Sequence, residues 1–196
     1  RRPSSAPAMD LTDETIQTFG VAKVFADNTK SITSLDFHMS GEFLVSTSAD
    51  NSIRVYDVIE AEEKDLIWSK VHGCNHARFL NCDTPSILHA STHGDESIRW
   101  LSLHSMQYQM YFTGHTDKVT ALTISPQDDT FLSASEDDTI RLWDLRTPVA
   151  AGIMNLKQSN QQNLLSLLQQ QQMPNNMNTL TNNSESLPLS VAYHPT

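Results

Sequence analysis

A short apolar pattern recurs three times along the 196-residue chain. It reads Ile-Arg-Val-Tyr-Asp from Ile53, Ile-Arg-Trp-Leu-Ser from Ile98 and Ile-Arg-Leu-Trp-Asp from Ile140, so the steps are 45 and 42 residues. The first and third copies align without a gap over residues 32–58 and 119–145. Around each copy, apolar and polar residues alternate between turn-forming segments, which predicts short β-strands. A repeat of this length is one unit that cannot bury its faces by itself, so the units must stack.

A period in the low forties that ends in Trp-Asp is typical of a WD-repeat β-propeller, in which each repeat is a four-stranded blade. We therefore predict an all-β WD-repeat β-propeller, incomplete here, with about three blades and one strand of a fourth. Residues 9–156 are expected to form N-terminal blades, and one more strand is expected at Phe19–Phe25, before the first repeat. Residues 188–196 are expected to be the first strand of the next blade, in an N-terminal piece of a longer protein.

Two segments lack the repeat pattern. Residues 1–8 are charged and Pro-rich, with no hydrophobic stretch that would make them a signal peptide, and we expect a disordered leader. Residues 157–187 are dominated by Gln and Asn, which bury too little apolar surface to offset the entropy of ordering. We interpret this tract as a disordered insertion in a surface loop between the third and fourth blades.

The charge of the chain argues against several functions. The net charge is −10, from 13 Lys and Arg against 23 Asp and Glu, and the basic residues are scattered. Direct binding of nucleic acid needs clustered cations, so it is disfavoured. No apolar run approaches the ~20 residues of a membrane helix. Two cysteines without a Cys-x-x-Cys spacing fit a reducing compartment. Basic protein segments, such as histone tails, suit this surface better.

The third repeat contains the four residue types that WD repeats join by hydrogen bonds: His115, Ser133, Asp137 and Trp143. A His, Ser and Asp set also occurs in hydrolases. In WD repeats, however, the Asp accepts from the His, and the His, Ser and Trp continue the chain of bonds. The spacing therefore predicts a structural tetrad that stiffens one blade, and no catalytic residue.

The other two repeats are degenerate versions of this pattern. The first keeps Ser46, Asp50 and Tyr56 but has no Gly-His pair before its first strand. The middle repeat keeps Ser91 and Asp95, and it has Leu-Ser where the others have Tyr-Asp or Trp-Asp. We expect all three to form blades nevertheless.

Residue types that bind metals also cluster in the chain. His72, Cys74, His76 and Cys82 lie close in sequence, and a His pair follows at positions 89 and 93. They lack the Cys-x-x-Cys spacing of a zinc site, and residues four apart in a strand merely share a face. The chain also lacks a Gly-rich phosphate loop. We therefore expect no metal and no cofactor.

A binding surface follows from propeller geometry. The loops that enter the inner strands and the turns between second and third strands gather on one face of the ring. A candidate peptide-binding rim on that face comprises Ser31, Thr33, Lys118, Thr120 and Glu136, with Ala49 and Gly94 close by. The alternative for each of these residues is an ordinary solvated turn position.

Four segments in a fixed order carry a resemblance to one family: Val21–Phe25, Ile98–His104, Ser125–Phe131 and Thr139–Arg146. From about Met9 to Leu156 the chain resembles the small WD-repeat subunit of the Set1/COMPASS histone H3 lysine methyltransferase complex. That subunit also occurs with cleavage/polyadenylation and phosphatase assemblies. The Gln/Asn-rich tract departs from the family pattern.

The resemblance implies a non-catalytic nuclear scaffold subunit that links the methyltransferase complex to chromatin and to transcribing RNA polymerase II. Its partners would be methyltransferase-complex subunits, bound through peptide segments, and the phosphorylated tail of RNA polymerase II, without direct nucleic-acid or membrane contact. The alternative is a generic WD-repeat adaptor in RNA 3′-end processing, ubiquitin-ligase or trafficking complexes. An enzyme that uses His115 or the His/Cys cluster is a third reading.

Overall fold

A computed structural model describes residues 12–82 and 85–156. A short helix, α1, spans Asp13–Gln17, and twelve strands follow. They are β1 Ile32–Phe37, β2 Phe43–Ser48, β3 Ser52–Asp57, β4 Glu62–Trp68, β5 Asn75–Phe79, β6 Ser86–Ala90, β7 Ile98–Ser102, β8 Gln107–Phe112, β9 Val119–Ile124, β10 Thr130–Ser135, β11 Thr139–Asp144 and β12 Ala150–Asn155. The predicted leader (1–8), insertion (157–187) and final strand (188–196) lie outside the described residues.

The strands form three antiparallel four-stranded sheets, each in sequence order. We call β1–β4 blade 1, β5–β8 blade 2 and β9–β12 blade 3. The tight turns between second and third strands in blades 1 and 3 place Asn51 (φ 69°) and Asp138 (φ 60°) in the left-handed region, which Asn and Asp tolerate best among residues with a side chain. These sheets confirm the predicted all-β architecture of WD-repeat propeller blades.

Burial explains why the sheets stack. The middle strands β3 and β6 are buried along almost their whole length, whereas the outer strand β4 alternates between exposed and half-buried residues. One apolar cluster lies between blades 1 and 2 and includes Val45, Ile53, Phe79, Ile87 and Leu101. A second lies between blades 2 and 3 and includes Leu88, Phe112, Leu122, Phe131 and Trp143. Blade 2 is therefore covered on both faces, as stacked repeats require.

The inner strands β1, β5 and β9 are joined by polar contacts. Arg78 on β5 donates from Nε to the carbonyl oxygen of Leu122 on β9 at 3.1 Å, and from Nη1 to that of Leu35 on β1 at 3.4 Å. The carboxylate of Asp36 accepts from the backbone N–H of Phe79 at 2.8 Å. One arginine thus connects all three blades.

The prediction of a strand at Phe19–Phe25 is wrong. Within the described ranges this segment forms no strand, because no neighbouring strand provides the ladder of hydrogen bonds that a strand needs. Its last residue packs instead on blade 1, with the rings of Phe25 and Tyr56 4.6 Å apart. No helix of the described ranges is long and apolar enough to cross a membrane.

Candidate functional site

The four residues of the predicted tetrad come from four places in blade 3. His115 lies in the loop before β9, Ser133 on β10, Asp137 in the β10–β11 turn and Trp143 on β11. Ladder pairing of Ser133 with Arg141 and of Phe131 with Trp143 sets their register. The antiparallel hairpin therefore holds Ser133 and Trp143 side by side, and the loop places His115 over them.

The structure brings these four side chains into one chain of hydrogen bonds. The distance from Asp137 Oδ2 to His115 Nδ1 is 2.9 Å, and His115 Nε2 lies 2.7 Å from Ser133 Oγ. Trp143 Nε1 donates to Ser133 Oγ at 2.8 Å. Because a carboxylate can only accept, His115 Nδ1 donates, so neutral Nε2 accepts from the Ser133 hydroxyl.

The protonation states follow from the surroundings. Burial lowers the pKa of His115, and the hydrogen bond and charge of Asp137 offset this only in part, so the imidazole is neutral at pH 7. Burial would by itself raise the pKa of Asp137. Hydrogen bonds from Thr139 and His115 and from backbone N–H groups outweigh it, and the pKa of this carboxyl lies well below its usual range. The network is thus a carboxylate, a neutral imidazole, a hydroxyl and an indole.

The arrangement is poorly suited to nucleophilic chemistry. The Ser133 side chain has 0% exposure, and its oxygen already contacts both the imidazole and the indole. A serine nucleophile has to reach a substrate carbonyl beside oxyanion donors. A buried hydroxyl with two protein partners instead fixes the packing of β10 and β11, and this geometry favours a structural role.

Blade 1 replaces the histidine by a threonine. Asp50 accepts from both the backbone N–H and the hydroxyl of Thr29, at 3.0 and 3.1 Å, and from Ser52. Burial raises the pKa of Asp50, but these hydrogen bonds lower it further than burial raises it. The Oγ of Ser46, at the position of Ser133, is buried without a hydrogen-bond partner among the described residues. Blade 1 therefore keeps the accepting carboxylate, Asp50, but lacks the series of hydrogen bonds that joins the tetrad of blade 3.

In blade 2, the strand pairing differs from the one that the sequence repeat predicts. Arg99 pairs with His89, as Arg141 pairs with Ser133, so His89 and not Ser91 occupies the tetrad serine position. His89 has 0% exposure, and its Nε2 lies 3.3 Å from the Tyr108 hydroxyl. Ser91 instead accepts from Arg99 Nε at 2.8 Å. His89, one of the His pair at positions 89 and 93, is thus a core residue of the blade.

The predicted rim residues fall into two groups. Ser31 lies beside the turn of blade 1, where its carbonyl oxygen accepts from Ala49 N–H, and the Thr33 hydroxyl contacts Thr47 at 2.8 Å. In blade 3, the carbonyl oxygen of Lys118 accepts in the same way from the backbone N–H of Glu136, at 2.9 Å. The two groups occupy equivalent positions of different blades.

Three of the rim residues meet in one hollow between blades 2 and 3. Lys118, Thr120 and Glu136 line a space of about 220 Å³. Sequence reasoning missed the blade 2 side of this hollow, which is formed by Asn75, His76, Ser91 and Thr92. His76 has a φ of 52° in the first residues of β5, a strain that the sequence pattern does not signal.

The His/Cys cluster is dispersed by the fold. Among residues 12–82 and 85–156, no group of three or more His, Cys, Asp or Glu side chains is placed to hold a metal ion. The Cys74 thiol is buried and contacts the carbonyl oxygen of Ser52 at 3.3 Å. Burial raises its pKa to about 12, so Cys74 is a thiol at neutral pH.

Comparison with known proteins agrees with the blade assignment. Residues 20–57 and 106–144 match the family described as "WD domain, G-beta repeat". These matches cover the first three strands of blade 1 and of blade 3, together with β8 of blade 2. The other strands of blade 2, which carry His89 and Leu101 at tetrad positions, are assigned to a blade by their sheet structure.

Three curated proteins with similar sequences support a closer relationship. The chain is 45% identical over 146 residues to WD repeat-containing protein 82 of Drosophila melanogaster, covering 74% of this chain and 46% of that protein. It is 42% identical over 125 residues to Set1 complex component swd2 of Schizosaccharomyces pombe, covering 64% of this chain and 35% of that protein. It is 38% identical over 115 residues to COMPASS component SWD2 of Saccharomyces cerevisiae, covering 59% of this chain and 35% of that protein.

The chain thus spans about half or less of the length of these relatives. Its repeats, its blades and these similarities lead to one conclusion: the chain contains WD repeats and is similar to the proteins named Set1 complex component swd2 and COMPASS component SWD2.

Proposed function

We propose that this protein is a non-catalytic WD-repeat scaffold subunit of a Set1/COMPASS-like histone H3 lysine methyltransferase complex in the nucleus. The similarity to two subunits named for that complex, at 42% and 38% identity, carries the proposal. In this role the blades hold partner peptides, and the complex is brought to chromatin and to transcribing RNA polymerase II.

The physical features of the chain support a scaffold. Blades 1–3 are filled by side-chain packing, and the His-Ser-Asp set of blade 3 is buried in a hydrogen-bonded chain. Peptide recognition needs concave surface with a few polar groups that fix orientation. The hollow lined by Lys118, Thr120 and Glu136 provides one such place on the rim, with one cation and one carboxylate.

The direct test is an affinity purification of the tagged full-length protein from its own cells, followed by mass spectrometry. We expect a SET-domain methyltransferase and its partner subunits, and lower histone H3 lysine methylation when the protein is deleted. A double variant, Lys118→Glu with Thr120→Ala, tests whether the rim binds the partners. It should fold normally but recover fewer rim-bound partners.

The outcomes separate the alternatives. Recovery of ubiquitin-ligase, trafficking or solely RNA 3′-end processing subunits, with normal methylation in the deletion, would reject the proposal in favour of a generic adaptor. Recovery of the methyltransferase without RNA polymerase II would retain the scaffold role and reject the polymerase link. Unchanged recovery from the rim variant would place partner binding elsewhere on the blades.

A further inference from the structure

The outer edge of the junction between blades 1 and 2 carries a hollow that the proposed scaffold role does not use. It has a volume of about 410 Å³ and is lined by Trp68, Ser69, Lys70, Val71, His72 and Tyr108. We call it the outer hollow. Its walls are the end of β4, the loop that follows it, and β8, the outermost strand of the next blade. It is therefore distinct from the rim hollow between blades 2 and 3.

The apolar part of the outer hollow is exposed to solvent. Trp68 is 47% exposed and Val71 is 75% exposed, and half-buried Tyr108 lines the same hollow. An exposed Trp next to a Tyr supplies a large contact area at low entropic cost, which is why these residues dominate binding hot spots. The feature fits an apolar or aromatic side chain of a partner.

Lys70 is the one permanently charged side chain among the six that line the hollow. The Lys70 ammonium lies 5.2 Å from the centroid of the Trp68 ring, a cation–π distance that holds it over the apolar surface. His72 adds an imidazole whose Nδ1 has no hydrogen-bond partner within the described ranges. Its nearest carboxylate, Asp95, is 4.0 Å away and is bound to Arg99 at 3.0 Å. None of the six lining residues is acidic.

From this geometry we propose that the outer hollow docks an extended acidic segment of a partner protein, in which an aromatic side chain is flanked by Asp or Glu. The aromatic side chain packs on Trp68 and Tyr108, and a carboxylate meets Lys70. This surface goes beyond the proposed scaffold role and does not depend on the identity of the complex.

Carboxylates suit the site better than phosphate groups. Phosphopeptide sites are built from arginine guanidinium groups, which bind phosphate oxygens in pairs. The nearby guanidinium of Arg99 is 4% exposed and is bound to Asp95, Ser91 and Ser97. A single exposed lysine remains, and it acts as a point charge.

The test uses the ¹⁵N-labelled 196-residue chain and the synthetic peptide Gly-Asp-Asp-Phe-Asp-Asp-Gly. The chain has three tryptophans, so its indole N–H region has three signals, and Trp68→Phe identifies one of them. We expect the Trp68 signal to shift with saturation while those of buried Trp143 and half-buried Trp100 stay unchanged. Peptides with Asn in place of Asp, or Gly in place of Phe, should bind at least about fivefold more weakly.

A matched pair of variants separates this site from general electrostatics. Lys70→Glu and Lys64→Glu make the same charge change on or just after β4, and both lysines lie over aromatic rings. We expect Lys70→Glu to weaken the peptide about fivefold or more and Lys64→Glu to have less than a twofold effect. Equal effects, shifts away from Trp68, absence of binding, or tighter binding of a phosphoserine peptide than of the Asp peptide would overturn the proposal.

Discussion

Replacing Ser133 with Ala tests whether the hydrogen-bonded chain of blade 3 stabilises the fold. The substitution removes one oxygen from a site with 0% exposure and leaves two groups without their partner, the Trp143 indole N–H and His115 Nε2. Each unpaired buried polar group costs roughly 1–3 kcal/mol. Since the neighbours can relax a little, we expect a loss of about 2–4 kcal/mol in the free energy of unfolding.

Blade 1 offers the matched control, because Ser46 occupies the same ladder position as Ser133. Ser46 pairs with Arg54 as Ser133 pairs with Arg141, and it is 1% exposed. Its hydroxyl has no hydrogen-bond partner in the described part of the chain, so Ser46→Ala breaks no bond. We expect its unfolding free energy to change by less than about 0.5 kcal/mol, or to rise slightly.

Urea unfolding followed by tryptophan fluorescence measures both variants, since neither changes a tryptophan. With a slope of about 2 kcal/mol per molar urea, the midpoint of Ser133→Ala should fall by about 1–2 M and that of Ser46→Ala should barely move. Equal losses for the two variants would refute the reasoning, because serine-to-alanine replacement at this depth would then matter irrespective of partners. A hydrolytic activity that disappears in Ser133→Ala at unchanged stability would refute the structural role itself.

Three further outcomes follow from the described contacts. Burial lowers the pKa of His89 to about 4, so its neutral form belongs to the fold, and unfolding is favoured as the pH falls from 6.5 towards 4. Between pH 6.5 and 4 the free energy of unfolding should fall by about 3 kcal/mol through His89, and His89→Gln should remove this fall in urea titrations. An unchanged pH dependence in the variant would contradict the assignment. Gly73→Ala should lower the melting temperature well below that of Gly41→Ala. Both sites have positive φ, but a Cβ at Gly73 would lie 1.9 Å from Thr92 Oγ1, and at Gly41 it meets no described atom within 4 Å. Because its pKa is raised to about 12, Cys74 should resist iodoacetamide at pH 8 until urea unfolds the chain; equal labelling of folded and unfolded protein, mapped by mass spectrometry, would show that the thiol is accessible.

The blades were predictable because the repeat is periodic in the sequence itself. Strands in which apolar residues alternate, and turns with Asn51 or Asp138, follow from local rules that do not need the tertiary fold. The polar residues of blade 3 could be placed for the same reason, since the spacing from Ser133 to Trp143 is set by one tight hairpin. The fold class is confirmed, and these four residues do lie together.

The middle blade shows where such spacing fails. Ala134 pairs with Ile140, six residues later, but Ala90 pairs with Ile98, eight residues later. The two additional turn residues shift Ser91 out of the tetrad position and bring His89 into it. A single sequence does not show whether additional residues belong to the turn or to the strand, because a polar side chain is compatible with either place.

The error at Phe19–Phe25 has a different cause. An apolar segment with alternating character is compatible with a strand, but a strand exists only beside a partner, and pairing between distant segments is not a local property. The hollows were equally hidden from sequence reasoning, because Trp68 and Tyr108 are far apart in sequence and meet only when two blades stack.

The position of Arg78 has a consequence for how the chain assembles. Stacked repeats are usually described as a row in which each unit responds only to its immediate neighbours. Here a single guanidinium in the central unit binds a carbonyl oxygen on either side, at Leu35 and Leu122. Its orientation is fully determined only once both flanking units have docked. The two junctions are therefore linked, so that loosening one weakens the other, and the three units should open and close as one cooperative block.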